Sequence, residues 1–245
     1  MIKRLLSVIG GILSSLTAVF GGGFSDSFTS SGLSPASWEI STGYSNGSVF
    51  ANCMWWASQV SVNPTNPGYL TLNLGPEAGT PPYAAAEVKT VAFWSYGMYT
   101  VRMKPSNQAG VISSFFTYTG PYYGDQWNEI DIEFGHFGNG SQTGVQFNYF
   151  VNGTGGHEVV YLLPFDPSTD FHTYGFDREP DFIAWYVDGV MVYQTPAGAA
   201  MPASAQRLFM NIWAPYGIDG WVGNYDGTAT SAVYDWVSFV PSSNQ

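Results

Sequence analysis

The chain has 245 residues with 18 acidic and 7 basic side chains, a formal charge of −11; aromatic residues make up 17% and charged residues only 10%. A chain of this length can bury a sizeable single core. The acidic balance excludes a nucleic-acid partner, which needs a basic footprint. A single cysteine, Cys53, excludes any intrachain disulfide, and the scattered His136, His157 and His172 show no metal-ligand spacing.

The first predicted element is an N-terminal leader. Lys3 and Arg4 precede a mostly apolar run from Leu5 to Phe20, followed by Gly21, Gly22 and Gly23. A short positive segment, an apolar stretch and small residues describe a secretory signal peptide over residues 1–23, with export as the consequence. The alternative is an uncleaved anchor, for which the run is slightly short of the ~20 residues needed to span a bilayer. Residues 24–245 contain no repeat, linker or charge block and read as one domain.

Beyond the leader, Gly and Pro punctuate short segments rich in Val, Ile, Tyr, Phe, Trp and Thr, the pattern of many short strands. Strands are predicted at 92–103, 111–118, 128–136, 143–151, 157–162, 172–177, 182–187, 190–195, 206–213 and 232–240. Asp188-Gly189 lies between two β-rich runs and marks a tight hairpin. The fold class is therefore all-β, a sandwich of two antiparallel sheets.

Residues two apart on a strand share a face. Around residue 130 one face carries Trp127, Glu129, Asp131 and Glu133, and the other carries Ile130, Ile132 and Phe134. Ser114, Phe116 and Tyr118 form a similar set, as do Gln146, Asn148 and Phe150, and Asn211 with Trp213. If these strands are neighbours, amides, acids and aromatic rings line one continuous face suited to a flat neutral ligand such as a sugar.

Three acids at i, i+2 and i+4 repel one another unless a ligand, a metal or a shared proton relieves them. Calcium prefers 6–8 oxygens from flexible loops, which a regular strand supplies poorly. Glycosidic bond cleavage fits better, since it needs one carboxylate nucleophile or base and one protonated carboxyl. On a flat strand residues four apart lie ~13 Å from each other, whereas retaining hydrolysis needs carboxyls ~5–5.5 Å apart. The reading therefore requires a concave sheet on which Glu129 and Glu133 converge.

Trp127-Asn128-Glu129-Ile130-Asp131-Ile132-Glu133-Phe134 resembles the catalytic strand of the family-16 glycoside hydrolases, more closely the bacterial lichenases (endo-β-1,3-1,4-glucanases). Further similar stretches are Gly43 through Gly47, Ser113 through Pro121, Gln146 through Tyr149, and Met210 through Trp213. The resemblance covers roughly residues 24–240. It implies a jelly-roll (concanavalin-like) sandwich with a concave substrate cleft and retaining endo-hydrolysis of a β-glucan polysaccharide by a monomer, with no cofactor for catalysis. It implies Glu129 as nucleophile, Asp131 as its assisting acid and Glu133 as general acid/base. Asn46, Glu87, Lys89, Phe116, Tyr118, Trp127, Asn148, Asn211, Trp213 and Trp221 fall on its substrate-cleft positions.

The chain departs from that pattern at several points. Lys89 stands where the family often has Arg, which keeps the charge and loses the planar fork. Phe150 replaces a common Tyr. Cys53 matches one member of a frequent cysteine pair, but the other position is Ala85, so Cys53 is expected as a buried free thiol beside an unusual loop at Pro81–Ala86. Some relatives hold a structural calcium, and Ser27, Gly68 and Asp235 fall near that site. Xyloglucan-active relatives share Glu-x-Asp-x-Glu and supply an alternative substrate. A lectin-like binding protein on the same sandwich would be expected to lack at least one of the three acids.

Overall fold

A computed structural model of the protein describes residues 22–243, apart from 64, 66, 67, 141 and 142. The leader predicted at 1–23 lies, except for Gly22 and Gly23, outside the described residues. The strands are β1 (Phe24–Asp26), β2 (Trp38–Ile40), β3 (Cys53–Trp55), β4 (Val60–Asn63), β5 (Tyr69–Pro76), β6 (Tyr83–Thr90), β7 (Gly97–Lys104) and β8 (Ile112–Thr119). They continue with β9 (Asn128–Gly135), β10 (Gly144–Phe150), β11 (Val159–Tyr161), β12 (His172–Arg178), β13 (Ile183–Val187), β14 (Val190–Gln194), β15 (Arg207–Trp213) and β16 (Thr230–Pro241).

The front sheet runs β2-β6-β15-β8-β9-β10-β11. The back sheet runs β4-β5-β16-β7-β12-β13-β14, with β1 beside the far end of β16. They are joined where Gly75 and Pro76 of β5 pair with Ala84 and Tyr83 of β6. All these pairs are antiparallel; β3, lying parallel to the start of β6, is the exception. This is the expected all-β sandwich.

Alternation builds the core. Ile130, Ile132 and Phe134 are buried, as are Val145, Phe147 and Tyr149 of β10 and Leu208, Met210 and Ile212 of β15. They meet the back sheet through ring contacts such as Phe134 on Tyr174 (centroids 4.7 Å apart) and Phe147 on Trp185 (5.6 Å). Polar tips of core residues also cross between the layers. Trp185 Nε1 donates to the carbonyl of Asp131 at 3.1 Å, and the Tyr234 hydroxyl donates to that of Ser114 at 2.9 Å. A second carbonyl, that of Asn211, lies 3.3 Å from the same hydroxyl.

Several boundaries differ from expectation. The strand predicted from Ala92 begins at Gly97, whose φ of 138° brings its backbone against Val240 and Pro241; only Trp94, bridged to Gln206, anticipates it. The stretch 81–86, expected as a loop, is strand from Tyr83 onward, with Ala84, Ala85 and Ala86 buried. Cys53 is indeed buried and free. Its sulfur sits between the carbonyl of Ala214 (3.5 Å) and the Ala214 amide, which donates to it at 3.3 Å, and burial pushes the thiol up to about 11. The predicted hairpin turn is present, with Asp188 and Gly189 both at positive φ. A four-residue helix, α1 (Asp219–Val222), lay outside the strand pattern.

Candidate active site

The register of the front sheet sets the site in rows. Glu133 is flanked by Gln146 and Ser114, and the row continues through Asn211 to Glu87. Asp131 is flanked by Asn148 and Phe116, and its row continues through Phe209 and Lys89 to Glu39. Glu129 is flanked by Phe150 and Tyr118, with Arg207 beyond. Cross-strand neighbours lie side by side on one face, so parity alone brings these groups together.

They line a cleft of about 1140 Å³. All three acids lie in it, together with Asn46, Glu87, Lys89, Phe116, Tyr118, Trp127, Asn148, Asn211, Trp213 and Trp221. Every cleft residue named from the sequence is therefore gathered into one cavity. Trp221 arrives on α1, stands 6.1 Å from Trp213, and its Nε1 donates to Gln146 Oε1 at 3.2 Å. Gln146 Nε2 in turn donates to Glu133 Oε2 at 3.1 Å. Trp127 lies flat on Phe150, with centroids 4.5 Å apart, and its Nε1 donates to Glu129. Phe116 stacks on Phe209 along the cleft wall, outside the core.

Burial raises all three acids. Burial pushes Glu129 up to about 7, opposed by the Trp127 donor and by a hydrogen bond from Asp131. Burial and then the charge of Glu129 push Glu133 up to about 8. Asp131, buried between two glutamates, is held well above the ordinary carboxylate range by burial and then by Glu129 and Glu133. The three titrate as one set. Donors around Glu129 favour its ionised form, while Asp131 retains a proton that it gives to Glu129. Removing one such donor is informative. Trp127→Phe, which deletes the indole N–H, is expected to move the acidic limb of the pH–rate profile to higher pH, read from kcat/KM between pH 5 and 9; an unmoved limb would refute the role given to that bond.

Two buried amides add a second chemical signature. Asn148 Oδ1 and Asn211 Oδ1 have no hydrogen-bond partner within the protein. Leaving a buried acceptor unpaired is costly, and both residues line the cleft. Glu87 is held by Ser41 Oγ (2.7 Å) and by Asn211 Nδ2 (3.3 Å), and burial raises its pKa.

Lys89 lines the cleft as expected and is also tied into the protein around it. Its Nζ reaches Ser41 Oγ (3.2 Å), Tyr44 Oη (3.1 Å) and Glu39 Oε1 (3.2 Å), which uses its three N–H groups within the protein. It braces the cleft end. Glu39, Tyr44, Tyr122, Tyr123, Phe209 and Glu158 also line the cleft, and sequence reasoning assigned them no part in it. Glu158 adds negative potential that raises both Asp131 and Glu133.

These features have counterparts in known proteins. A model of glycosyl hydrolases family 16 matches residues 48–238. The chain belongs to that family. A β-glucanase of Paenibacillus macerans is 48% identical over 205 residues, 83% of each chain. One from Bacillus amyloliquefaciens is 42% identical over 98% of this chain and 96% of its own. In structure, the Bacillus licheniformis β-glucanase superposes with a TM-score of 0.82 at 39% identity, covering 91% of this chain and all of that one. The family-16 jelly roll identified from the sequence is thus the fold observed.

The residues suggested for a structural calcium lie apart from the cleft. Gly68 packs its backbone against the Phe28 carbonyl, next to Ser27, and β1 ahead of it pairs with β16, which carries Asp235 at a bulge. An oxygen-only donor set suits calcium in kind. Asp235, however, is ion-paired with Arg102, and that pair would have to open for the carboxylate to serve.

Proposed function

We propose that the protein is a secreted, monomeric endo-β-glucanase that hydrolyses β-1,4 bonds of mixed-linkage β-1,3-1,4-glucans with retention. The observation that carries this reading is the set of three buried acids sharing one cleft, all raised by burial, with hydrogen-bond donors gathered on Glu129. Glu129, the better supplied with donors, acts as the carboxylate nucleophile. Glu133, kept protonated by burial and by the charge of Glu129, delivers the proton to the departing sugar oxygen. Asp131 donates to Glu129 and keeps its charge localised. Water later attacks the glycosyl–Glu129 ester, with Glu133 now accepting the proton.

Substrate binding divides between rings and amides. Trp127, Phe116, Tyr118 and Trp221 offer partly exposed apolar faces, the nearly buried Trp213 lines the cleft behind them, and Asn148 and Asn211 offer the unsatisfied acceptors described above. The substrate class is supported by a β-1,3-1,4-glucanase (lichenase) derived from a mouse hindgut metagenome, 42% identical with a TM-score of 0.80, covering 90% of this chain and 99% of that one. Product analysis on a panel of β-glucans tests it. Reducing ends should appear from lichenan and barley β-glucan and hardly from cellulose; equal activity on xyloglucan would instead support the alternative of a xyloglucan-active hydrolase or transglycosylase.

Export rests on the signal-like residues 1–23, and N-terminal sequencing of secreted material tests it. A calcium held by Ser27, Gly68 and Asp235 would stabilise the fold without entering the chemistry. Chelation should then lower Tm in the native protein and leave Asp235→Asn unmoved; equal Tm values with and without chelator would exclude it.

A further inference from the structure

At one end of the cleft stands a group of side chains with no role in bond cleavage. Glu39 terminates the Asp131 row, four inter-strand steps away across β9, β8, β15, β6 and β2. At ~4.8 Å per step this is about 19 Å along the sheet, several pyranose rings from the acids. Its carboxylate is gripped by Lys89 Nζ (3.2 Å) and Arg207 Nη2 (2.8 Å), yet the side chain remains 49% exposed. Arg207 and Lys89 hold its pKa below the ordinary value against the effect of burial. Arg207 also donates through Nη1 to the Tyr123 hydroxyl at 3.3 Å, which ties Glu39 and Tyr123 into one unit.

Beside that unit projects Tyr122. It is 85% exposed and meets Tyr123 edge-on, with centroids 5.0 Å apart and planes at 85°. The turn that carries it is closed by three backbone hydrogen bonds: Tyr123 N to Gly120 O (2.8 Å), Gly124 N to Pro121 O (3.1 Å) and Asp125 N to Gly120 O (3.2 Å). Gly124 completes it at φ 78°, a left-handed conformation that suits glycine. Tyr123 is braced further by Phe93 (5.3 Å) and Tyr118 (6.2 Å). A large ring held on a fixed turn at the lip of a cleft, with almost no protein cover, is poised for a ligand face, and the pinned carboxylate beside it is a hydroxyl acceptor already charged and oriented.

We infer that Tyr122, Tyr123 and Glu39 form an outlying glucosyl-binding subsite that engages long β-glucan chains at the Glu39 end of the cleft. The inference rests on the β-glucanase reading and adds to it a chain-length preference. The ring stacks on a pyranose face and Glu39 accepts from sugar hydroxyls, while Lys89 and Arg207 hold the carboxylate in place. Binding there is spent on capture and retention of polymer.

The test compares Tyr122→Ala with Tyr122→Phe. The first should lower kcat/KM on polymeric β-glucan by about three- to tenfold, with no change on an activated aryl glycoside too short to reach the turn. Tyr122→Phe, which keeps the ring, should retain the wild-type preference. A uniform loss on both substrates, or no loss on polymer, would overturn the subsite. Electrophoresis of Glu129→Gln through gels containing barley β-glucan separates this from the wider reading. Retardation that weakens with added Tyr122→Ala supports the subsite even if the wild type fails to cleave that polymer; retardation indifferent to Tyr122, or none at all, removes it.

Discussion

Glu129→Ala is expected to lower turnover by roughly 10⁴-fold or more, because it removes the carboxylate assigned to form the glycosyl ester. Azide should partly restore it. The small anion fits the space left by the carboxylate and attacks the anomeric carbon from the same side, while the leaving oxygen takes its proton from Glu133. The rescued product is then an α-glycosyl azide. A β product would assign Glu129 the other role. The residual background should also lose its dependence on deprotonation near pH 7, since the group pushed up to about 7 is gone.

Replacing Glu133 has a different signature. Glu133→Gln keeps the size of the side chain and removes the transferable proton, so hydrolysis of polymer should fall by roughly 10²–10⁴-fold. A substrate whose leaving group departs without protonation should still form the glycosyl ester, giving a burst followed by slow release. In the native protein kcat/KM should be bell-shaped. It rises as the lower-affinity proton is lost near 7 and falls as Glu133 deprotonates near 8, with apparent values belonging to the coupled set. The alkaline limb should vanish in Glu133→Gln; its persistence would assign that limb to another group.

The pH dependence of stability has the opposite sign from that of a salt-bridged acid. The folded state holds protons that an unfolded glutamate releases above its ordinary pKa. The contribution of these sites is therefore fully present below about 4.5 and declines as pH rises through 7 to 8. Glu133→Gln should accordingly raise Tm more at pH 8 than at pH 5. The cleft exchanges stability for reactivity at its most crowded point.

Strand alternation made the centre of the site legible. Once Ile130, Ile132 and Phe134 are read as core, Glu129, Asp131 and Glu133 must share the other face, and the same parity places Phe116, Asn148 and Asn211 beside them. What alternation could not supply is which strands are neighbours, and so how far the face extends. Asn46, Glu87 and Trp221 were found through family resemblance, because each depends on a loop, a disguised strand or a short helix. The strand β6 is disguised by its composition: Ala84-Ala85-Ala86-Glu87-Val88-Lys89 favours a helix by local propensity. Its burial between β15 and β2 overrides that preference. Glu39 and Arg207 lie 168 residues apart and meet only because β2 and β15 flank β6 on its two sides. No local pattern marks such a pair. Lys89 was legible as a cleft residue, but its three internal partners, which make it a brace, come from tertiary packing.

The hydroxyl of Tyr234 and the indole of Trp185 reach through the core to backbone carbonyls of the front sheet, at Ser114, Asn211 and Asp131. These belong to the rows that hold Glu133 and Asp131. The back layer is thus a chassis on which the reacting groups are mounted, although among the described residues none of its strands lines the cleft. Loosening that mount by heat or substitution lets the floor drift while every cleft residue is still present. Turnover is then adjustable from behind, through residues that no inhibitor in the cleft could touch.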